Sequence, residues 1–234
     1  MGIVFGKTGV AEPAYTVLSS SPLPTSILAY SVRSYGSRFA VETTMTEDNK
    51  GFMTLAGYIG VGSKPQNEGA AAISMTAPVG TKGGEAISMT APVATKGAPI
   101  AMTAPVGTST AASGSRVMSF VLPAEYDSLD KIPKPTNPLV RVVAVPPAVG
   151  AVAQFAGWVS PAQAEAKKDA LLRQLGEDGV KVAEPVDWEL WQYNPPFTIP
   201  WLRRNEVWVK LTEEQAGALG EKHRGGAAKA AASV

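Results

Sequence analysis

The order of the predicted elements constrains the fold more than any other feature of the chain. Segments rich in β-branched and aromatic residues at 15–21, 26–35 and 38–45 precede a short amphipathic helix predicted at 51–59. Further strands, a second helix and a last group of strands follow. Because groups of strands separate the helices, we expect an α+β fold with antiparallel strands rather than a doubly wound parallel sheet. The second half echoes the first, which predicts two βαββ-like halves with helices on the outside.

The second helix is predicted at 160–175 from its own start and stop signals. Ser160 stands at the N-cap, Pro161 at the first helical position and Gln163 at the third, which is the pattern of a capping box. Leucines at 171, 172 and 175 share one face, and Gly176 is expected to end the helix. By contrast, residues 212–234 are rich in Ala, Gly and charge, so we predict a frayed or disordered tail after a domain spanning 1–211.

A heptapeptide occurs three times, at 73–79, 87–93 and 100–106, as Ile-x-Met-Thr-Ala-Pro-Val. Its Ile, Met, Ala and Val occupy alternate positions and would share one face of an extended strand. The proline removes a ladder donor, which favours an edge strand or a strand end. Because unrelated sequence follows the third copy, we predict a locally duplicated hairpin over 73–106 rather than a solenoid.

Composition excludes several classes of site. The 234 residues include no cysteine and one histidine, His223, so zinc–thiolate sites, iron–sulfur clusters and thiol nucleophiles are excluded. A Ser–His nucleophile pair is implausible when the histidine lies in a predicted tail, and no spacing of metal ligands is present, so we expect no enzyme and no metal site. A formal net charge of +1 gives no field for nucleic acid.

No targeting or membrane-spanning segment is evident in the sequence. The N-terminus lacks a basic region and a cleavage site, and the longest uncharged run, 142–164, is broken by proline and glycine. We therefore expect a cytoplasmic protein, with peripheral association with an organelle left open.

One segment, 193–208, concentrates aromatic, proline and arginine residues. Exposed Phe197 and Trp201 beside Arg203 and Arg204 would suit a flat apolar ligand that carries carboxylates. The alternative is a buried loop whose aromatic side chains complete the core.

Several stretches together resemble the SOUL haem-binding protein family, and its plant and algal branch in particular. Besides the repeats, the matching stretches are 1–7 (MGIVFGK), 57–60 (GYIG), 64–67 (KPQN), 119–123 (SFVLP), 134–136 (KPT), 155–158 (FAGW), 193–197 (YNPPF) and 204–207 (RNEV). The resemblance implies a distorted antiparallel β-barrel built from two βαββ halves, and non-enzymatic binding of haem or another porphyrin.

The resemblance also implies a groove between the first helix and the loop before the last strand. Carried over by position, its cofactor-binding residues are Met53, Leu55, Ala56, Tyr58, Lys64, Phe197, Trp201, Arg203 and Arg204. The axial histidine proposed for some members has no counterpart in the N-terminal strands. The repeat methionines could ligate iron, although apolar packing is the alternative.

Two functions remain open at this point. The leading one is a tetrapyrrole carrier, buffer or sensor that binds haem or another porphyrin weakly and reversibly in an apolar groove, without a histidine ligand. The alternative is a scaffold protein with a vestigial groove, which meets a protein partner through the repeat hairpin 73–106.

Overall fold

A computed structural model describes residues 11–21, 28–45, 47–61, 64–82, 116–194 and 198–231, with side chains through 226. Nine strands and three α-helices follow one another as β1 Tyr15–Ser20, β2 Ser31–Tyr35, β3 Arg38–Met45, α1 Asp48–Ile59, β4 Val79–Lys82, β5 Arg116–Val121, β6 Arg141–Val145, β7 Ala148–Phe155, α2 Pro161–Glu177, β8 Trp188–Gln192, β9 Asn205–Leu211 and α3 Glu213–Ala231. None of the helices in this described part is both long and apolar enough to cross a bilayer.

The nine strands form a single sheet in the order β1-β2-β7-β9-β8-β4-β5-β3-β6, and every neighbouring pair is antiparallel. The unit β3-α1-β4-β5 is arranged as β3-β5-β4, and the unit β7-α2-β8-β9 is arranged as β7-β9-β8. The two units meet where β4 pairs with β8. The strand before each unit crosses to the other one, because β2 pairs with β7 and β6 with β3. The predicted antiparallel α+β class is thus confirmed, with two similarly ordered halves.

The sheet does not close into a barrel in the described part of the chain. Strands β1 and β6 stand at its two ends. Helix α3 packs against β1, so that end of the sheet is covered by a helix rather than joined to β6. Covering an edge strand with a helix is one of the ways in which proteins avoid unwanted strand pairing.

The helices lie against one face of the sheet and bury most of its apolar residues. Side chains from α2 and α3 meet β2, β7 and β9 in one core cluster, in which Leu171, Leu175 and Leu219 are fully buried. Helix α1 forms a second cluster with β3 and β5. The opposite face carries a smaller aromatic cluster that includes Trp191 and Trp208, whose rings stack with centroids 5.9 Å apart. Successive side chains of each strand point to opposite faces of the sheet, so alternate residues belong to the helix-covered core and to the aromatic cluster.

Local signals explain both predicted helices. Ser160 Oγ accepts from Gln163 N at 3.3 Å and Gln163 Oε1 accepts from Ser160 N at 2.8 Å, which confirms the capping box of α2. The helix continues through Gly176 to Glu177 with Asp178 as its C-cap, and the left-handed residue that follows is Gly179, with φ of 91°. Helix α1 ends at Gly60, whose φ of 89° is a left-handed conformation that favours glycine.

The C-terminal segment differs from the predicted flexible tail. Glu213–Ala231 is an α-helix. Its Leu219 side chain is fully buried, with 0% exposed to solvent, and His223 is 5% exposed. Thr212 and Gln215 exchange hydrogen bonds of 2.9 and 3.1 Å at its start. The abundant Ala and Gly suggested disorder, but one buried face is enough to hold the helix against β1, β2 and β7.

The repeats are only partly within the described residues. In the first copy Ile73 and Ala77 are buried, and Val79 opens β4. The second and third copies, at 87–93 and 100–106, lie outside the described residues. In the chain they fall between β4 and β5, which pair with each other as neighbouring antiparallel strands. The predicted duplicated hairpin therefore remains a prediction.

Candidate ligand-binding groove

A groove lies where the N-terminal segment meets the ends of several strands. Its wall is formed by 11–14, by 36–39 at the start of β3, by Thr76, by 121–124 with Tyr126 and Asp127 at the end of β5, and by 144–146 at the end of β6. Ala77 N donates to Ala11 O at 3.0 Å, and Thr76 Oγ1 donates to Val121 O, so the wall is held by hydrogen bonds. Its volume is ≈ 590 Å³, within the range of about 300–1,000 Å³ usual for small-molecule sites.

Arg38 is the most unusual side chain in this groove. Its Nε is buried and finds no hydrogen-bond partner among the described residues, and its Nη1 donates only a long bond of 3.4 Å to Gly36 O. Its guanidinium carbon lies 5.3 Å from the centre of the Tyr35 ring. Burial lowers the pKa of Arg38. A buried guanidinium N–H without an acceptor is costly, and a carboxylate on a ligand would relieve that cost.

The groove continues past Arg38 into a narrow polar cleft of ≈ 30 Å³, about the volume of one water molecule. Both carboxylates of the cleft already have partners. Glu189 accepts from Trp191 Nε1 at 2.7 Å, and Glu42 accepts from Arg141 Nη2 at 3.0 Å. Burial raises the pKa of Tyr35, at the edge of the cleft, to about 12, so that its hydroxyl stays protonated at neutral pH. The cleft therefore leaves the charge of Arg38 without a direct ion pair.

A separate ion-pair network lies next to this cleft. Glu206 is 0% exposed; its carboxylate accepts from Arg33 Nη1 at 3.0 and 3.1 Å, from Arg204 Nε at 3.0 Å and from Tyr193 Oη at 2.7 Å. Burial, and then the charge of Glu206, raise the pKa of Tyr193 above its ordinary value. Because every oxygen of Glu206 is engaged, this network holds strands together and is closed to a ligand.

The predicted site residues on α1, together with Lys64 just after it, fall into two groups. Leu55, Ala56 and Tyr58 are no more than 1% exposed and lie in the core beneath the helix, where Tyr58 Oη donates to Pro133 O at 2.7 Å. Met53 is 59% exposed and Lys64 is also exposed. A ligand on α1 would therefore reach Met53 and Lys64 without disturbing the core, and it would reach the other three only if the helix moved.

The predicted site residues in the loop before β9 are also placed in different ways. Phe197 lies outside the described residues. Trp201 is 74% exposed, whereas Arg203 is 8% exposed, with its guanidinium carbon 3.4 Å from the centre of the Trp158 ring. Arg204 pairs with Glu206 and, at 3.0 Å, with Glu12. Both arginines thus have partners within the protein, and their role toward propionates remains a prediction.

Sequence reasoning missed Arg38. The signal that could have found it is a charged residue at alternate positions of an apolar strand, since Arg38 and Glu42 both stand on the same face of β3 as Ala40. Charged side chains on a half-buried strand face need partners or a ligand. The aromatic and basic loop drew attention instead because its residues are concentrated in one short stretch.

Comparison with known proteins agrees with this architecture. The C-terminal domain of EcmrR has a similar structure at 8% sequence identity, with a TM-score of 0.50 over 80% of this chain and 98% of that one. EcmrR in a complex with DNA aligns over 78% of this chain and 57% of that one, at 9% identity and a TM-score of 0.46. The first of these likenesses shows a shared fold. A search of curated proteins found no match.

The sequence itself matches a family model over residues 10–210, described as SOUL heme-binding protein. That match covers most of the 234 residues. The chain therefore belongs to the SOUL heme-binding protein family, and membership of this family indicates binding of haem or a related tetrapyrrole.

Proposed function

We propose that this protein is a non-enzymatic tetrapyrrole carrier, buffer or sensor that holds haem or another porphyrin weakly and reversibly. The observation that supports it is the groove beside β3, whose lining is mostly apolar and includes Arg38, with its buried Nε unpartnered among the described residues. A porphyrin offers a flat apolar ring for such walls and propionates for the arginine. The groove favours this position over the predicted one on α1, because Leu55, Ala56 and Tyr58 are enclosed in the core.

Iron ligation would contribute little in this groove. His223 is not among its lining residues. Tyr126 does line it, but burial, and then the charge of Glu125, raise the pKa of the Tyr126 hydroxyl, which disfavours the phenolate that iron prefers. The residues present therefore suit the porphyrin ring and its carboxylates. Haem, when bound, would supply the redox chemistry of its iron, without a strong iron ligand from the lining residues. A metal-free porphyrin should bind about as well as haem.

The test is a titration with protoporphyrin IX followed by its Soret band and by quenching of tryptophan fluorescence. Losing one charge-assisted hydrogen bond costs about 1.5–3 kcal/mol, so Arg38→Met should weaken binding by about tenfold to a hundredfold. Arg173→Met is the control, since Arg173 is an exposed arginine on α2 that is not among the residues lining the groove or the cleft. Its affinity should match the wild type.

The dimethyl ester of protoporphyrin sharpens this test. The ester lacks the carboxylates, so it should bind the wild type and Arg38→Met equally and weakly. An unchanged Soret spectrum and unquenched tryptophans in the wild type would refute tetrapyrrole binding. Loss of binding in Trp201→Ala together with full binding in Arg38→Met would place the ligand at the groove predicted from α1 and the β8–β9 loop.

The scaffold alternative rests on the repeats and remains a separate proposal. The second and third copies fall between β4 and β5 and contribute none of the described residues that line the groove, whereas the first copy contributes Thr76. Deleting 83–106 should therefore leave porphyrin affinity unchanged. If the deletion removes a protein partner while porphyrin still binds, the repeats serve interaction and the groove serves the ligand.

A further inference from the structure

A chain of polar side chains runs beneath α3, on the face of the sheet that the helices cover. Tyr30 Oη donates to Asp178 Oδ2 at 2.6 Å, and Lys222 Nζ lies 2.9 Å from Asp178 Oδ1. Tyr30 Oη is also 3.1 Å from His223 Nε2, and His223 Nδ1 is 3.0 Å from Ser19 Oγ. Four residues from four different parts of the chain thus form one continuous path from a carboxylate to a serine hydroxyl.

The direction of each hydrogen bond follows from the number of protons. A phenol has one proton, and that of Tyr30 goes to the Asp178 carboxylate, the stronger acceptor at 2.6 Å. Tyr30 Oη can then only accept, so His223 must donate its Nε2–H. A neutral imidazole has a single N–H, which leaves a lone pair on Nδ1 to accept from the Ser19 hydroxyl. Ser19 therefore faces a base in the correct tautomer.

Ionisation is consistent with this assignment. Burial lowers the pKa of His223; Asp178 opposes that change and Lys222 reinforces it. Burial, and then its hydrogen bond to Asp178, raise the pKa of Tyr30 above its ordinary value. At neutral pH the imidazole is therefore neutral and the phenol keeps its proton.

A β-bulge directs Ser19 toward this base. In the pairing of β1 with β2, Val17 opposes Arg33 and the next pair is Ser19 with Val32, so Leu18 is an extra residue. Regular pairing would have placed residue 19 opposite Ser31, with its side chain on the other face of the sheet. Because Val32 belongs to the core beneath the helices, the bulge turns Ser19 to the side on which His223 lies.

We propose that Ser19 is a base-assisted nucleophile and serves as an acyl-acceptor site for activated carboxylic esters. Ser19 is partly exposed and its neighbours on β1 are exposed, so an ester can approach it. In the reaction Ser19 Oγ bonds to the acyl carbon while its proton moves to His223 Nδ1. The bond from the acyl carbon to the leaving oxygen then breaks, and that oxygen takes the proton from His223. The products are O-acyl-Ser19 and a free alcohol, so atoms and protons balance.

The probe is p-nitrophenyl acetate, with site-resolved mass spectrometry of the acetylated full-length protein. Ser20 is the internal control, since it is an exposed serine on the same strand with no hydrogen bond to a histidine among the described residues. General-base assistance is usually about 10²–10⁴-fold, so Ser19 should be acetylated at least about a hundredfold faster than Ser20. Equal rates at the two serines in the wild type would overturn the proposal without any variant.

Two variants and a pH profile complete the test. His223→Gln should reduce the Ser19 rate to that of Ser20, whereas Ser20→Ala should leave the Ser19 rate unchanged. The wild-type rate should rise with pH and level off below the ordinary histidine pKa of 6.5, because burial lowers the pKa of His223. A Ser19 rate that His223→Gln leaves unchanged, in a variant with wild-type helix content, would refute the role of the histidine. Porphyrin titration of the same samples reports on the groove separately.

Discussion

Replacing Glu206 by glutamine should be among the most destabilising single changes in this protein. The carboxylate is 0% exposed, and Arg33, whose Nη1 donates to both of its oxygens, has a side chain only 9% exposed. Glutamine keeps the shape but removes the charge, and thereby leaves the guanidinium buried without its counter-ion. Breaking a buried pair in this way costs about 3–5 kcal/mol. With a urea m-value of about 2 kcal/mol/M, the unfolding midpoint should fall by about 1.5–2.5 M.

Equilibrium urea unfolding, followed by tryptophan fluorescence, measures this loss directly. Arg141→Gln is the control, because its ion pair with Glu42 is half exposed at the arginine and should contribute about 0–1 kcal/mol. The double variant Arg33→Met with Glu206→Gln should recover part of this loss, since it removes the unpaired guanidinium while the glutamine amide oxygen can still accept from Tyr193 Oη. A loss below about 1 kcal/mol in Glu206→Gln, at an unchanged m-value, would refute the reasoning that this pair is desolvated.

Other positions give further predictions. Gly150→Ala should destabilise the fold by about 1–3 kcal/mol in thermal unfolding, because a Cβ would meet Trp208 Nε1 at 2.2 Å and the sheet backbone behind it. Gly176→Ala, with no atom within 4 Å of the added Cβ, should instead stabilise α2 by up to about 1 kcal/mol. Equal effects of the two substitutions would contradict the close contact at Gly150. Ser160→Ala should cost α2 about 1 kcal/mol by loss of its cap, read from the same melts, and a loss within error would mean that the capping box contributes nothing. Since burial lowers the pKa of His223, the imidazole binds a proton at higher pH in the unfolded state than in the folded state. The free energy of unfolding should therefore fall as pH drops below about 6.5, and it should fall less in His223→Gln. Identical pH profiles of the two proteins would show that the histidine is not desolvated.

Much of the fold could be predicted from short stretches of sequence. The capping box of α2 and the strand at 38–45 agree with their observed bounds, because caps and strand alternation depend on neighbours a few residues away. The alternation at 180–183 also predicts a strand among the last group, yet this segment pairs with no other strand in the described part of the chain. Alternation indicates a strand only where a partner edge exists, and no short stretch contains that information.

The site was harder to predict, for a related reason. Arg203 and Arg204 stood out because aromatic and basic residues are concentrated around them, but the fold supplies each with a partner of its own. Arg38 carried no comparable local signal. Only the packing of β3 against its neighbours and the N-terminal segment buries its Nε away from every acceptor of the described residues.

The sequence by itself determined the antiparallel α+β class, the two similar halves, the first two helices and membership of a haem-binding family. The tertiary structure decided which distant residues meet. Ser19 and His223 are separated by 204 positions, and their contact requires a bulge in β1, a helix in place of the expected tail, and the placement of that helix over β1. Local patterns record the periodicity and hydrogen bonding of a few consecutive residues, whereas a site of this kind depends on the order of strands in the sheet and on the packing that brings its faces together.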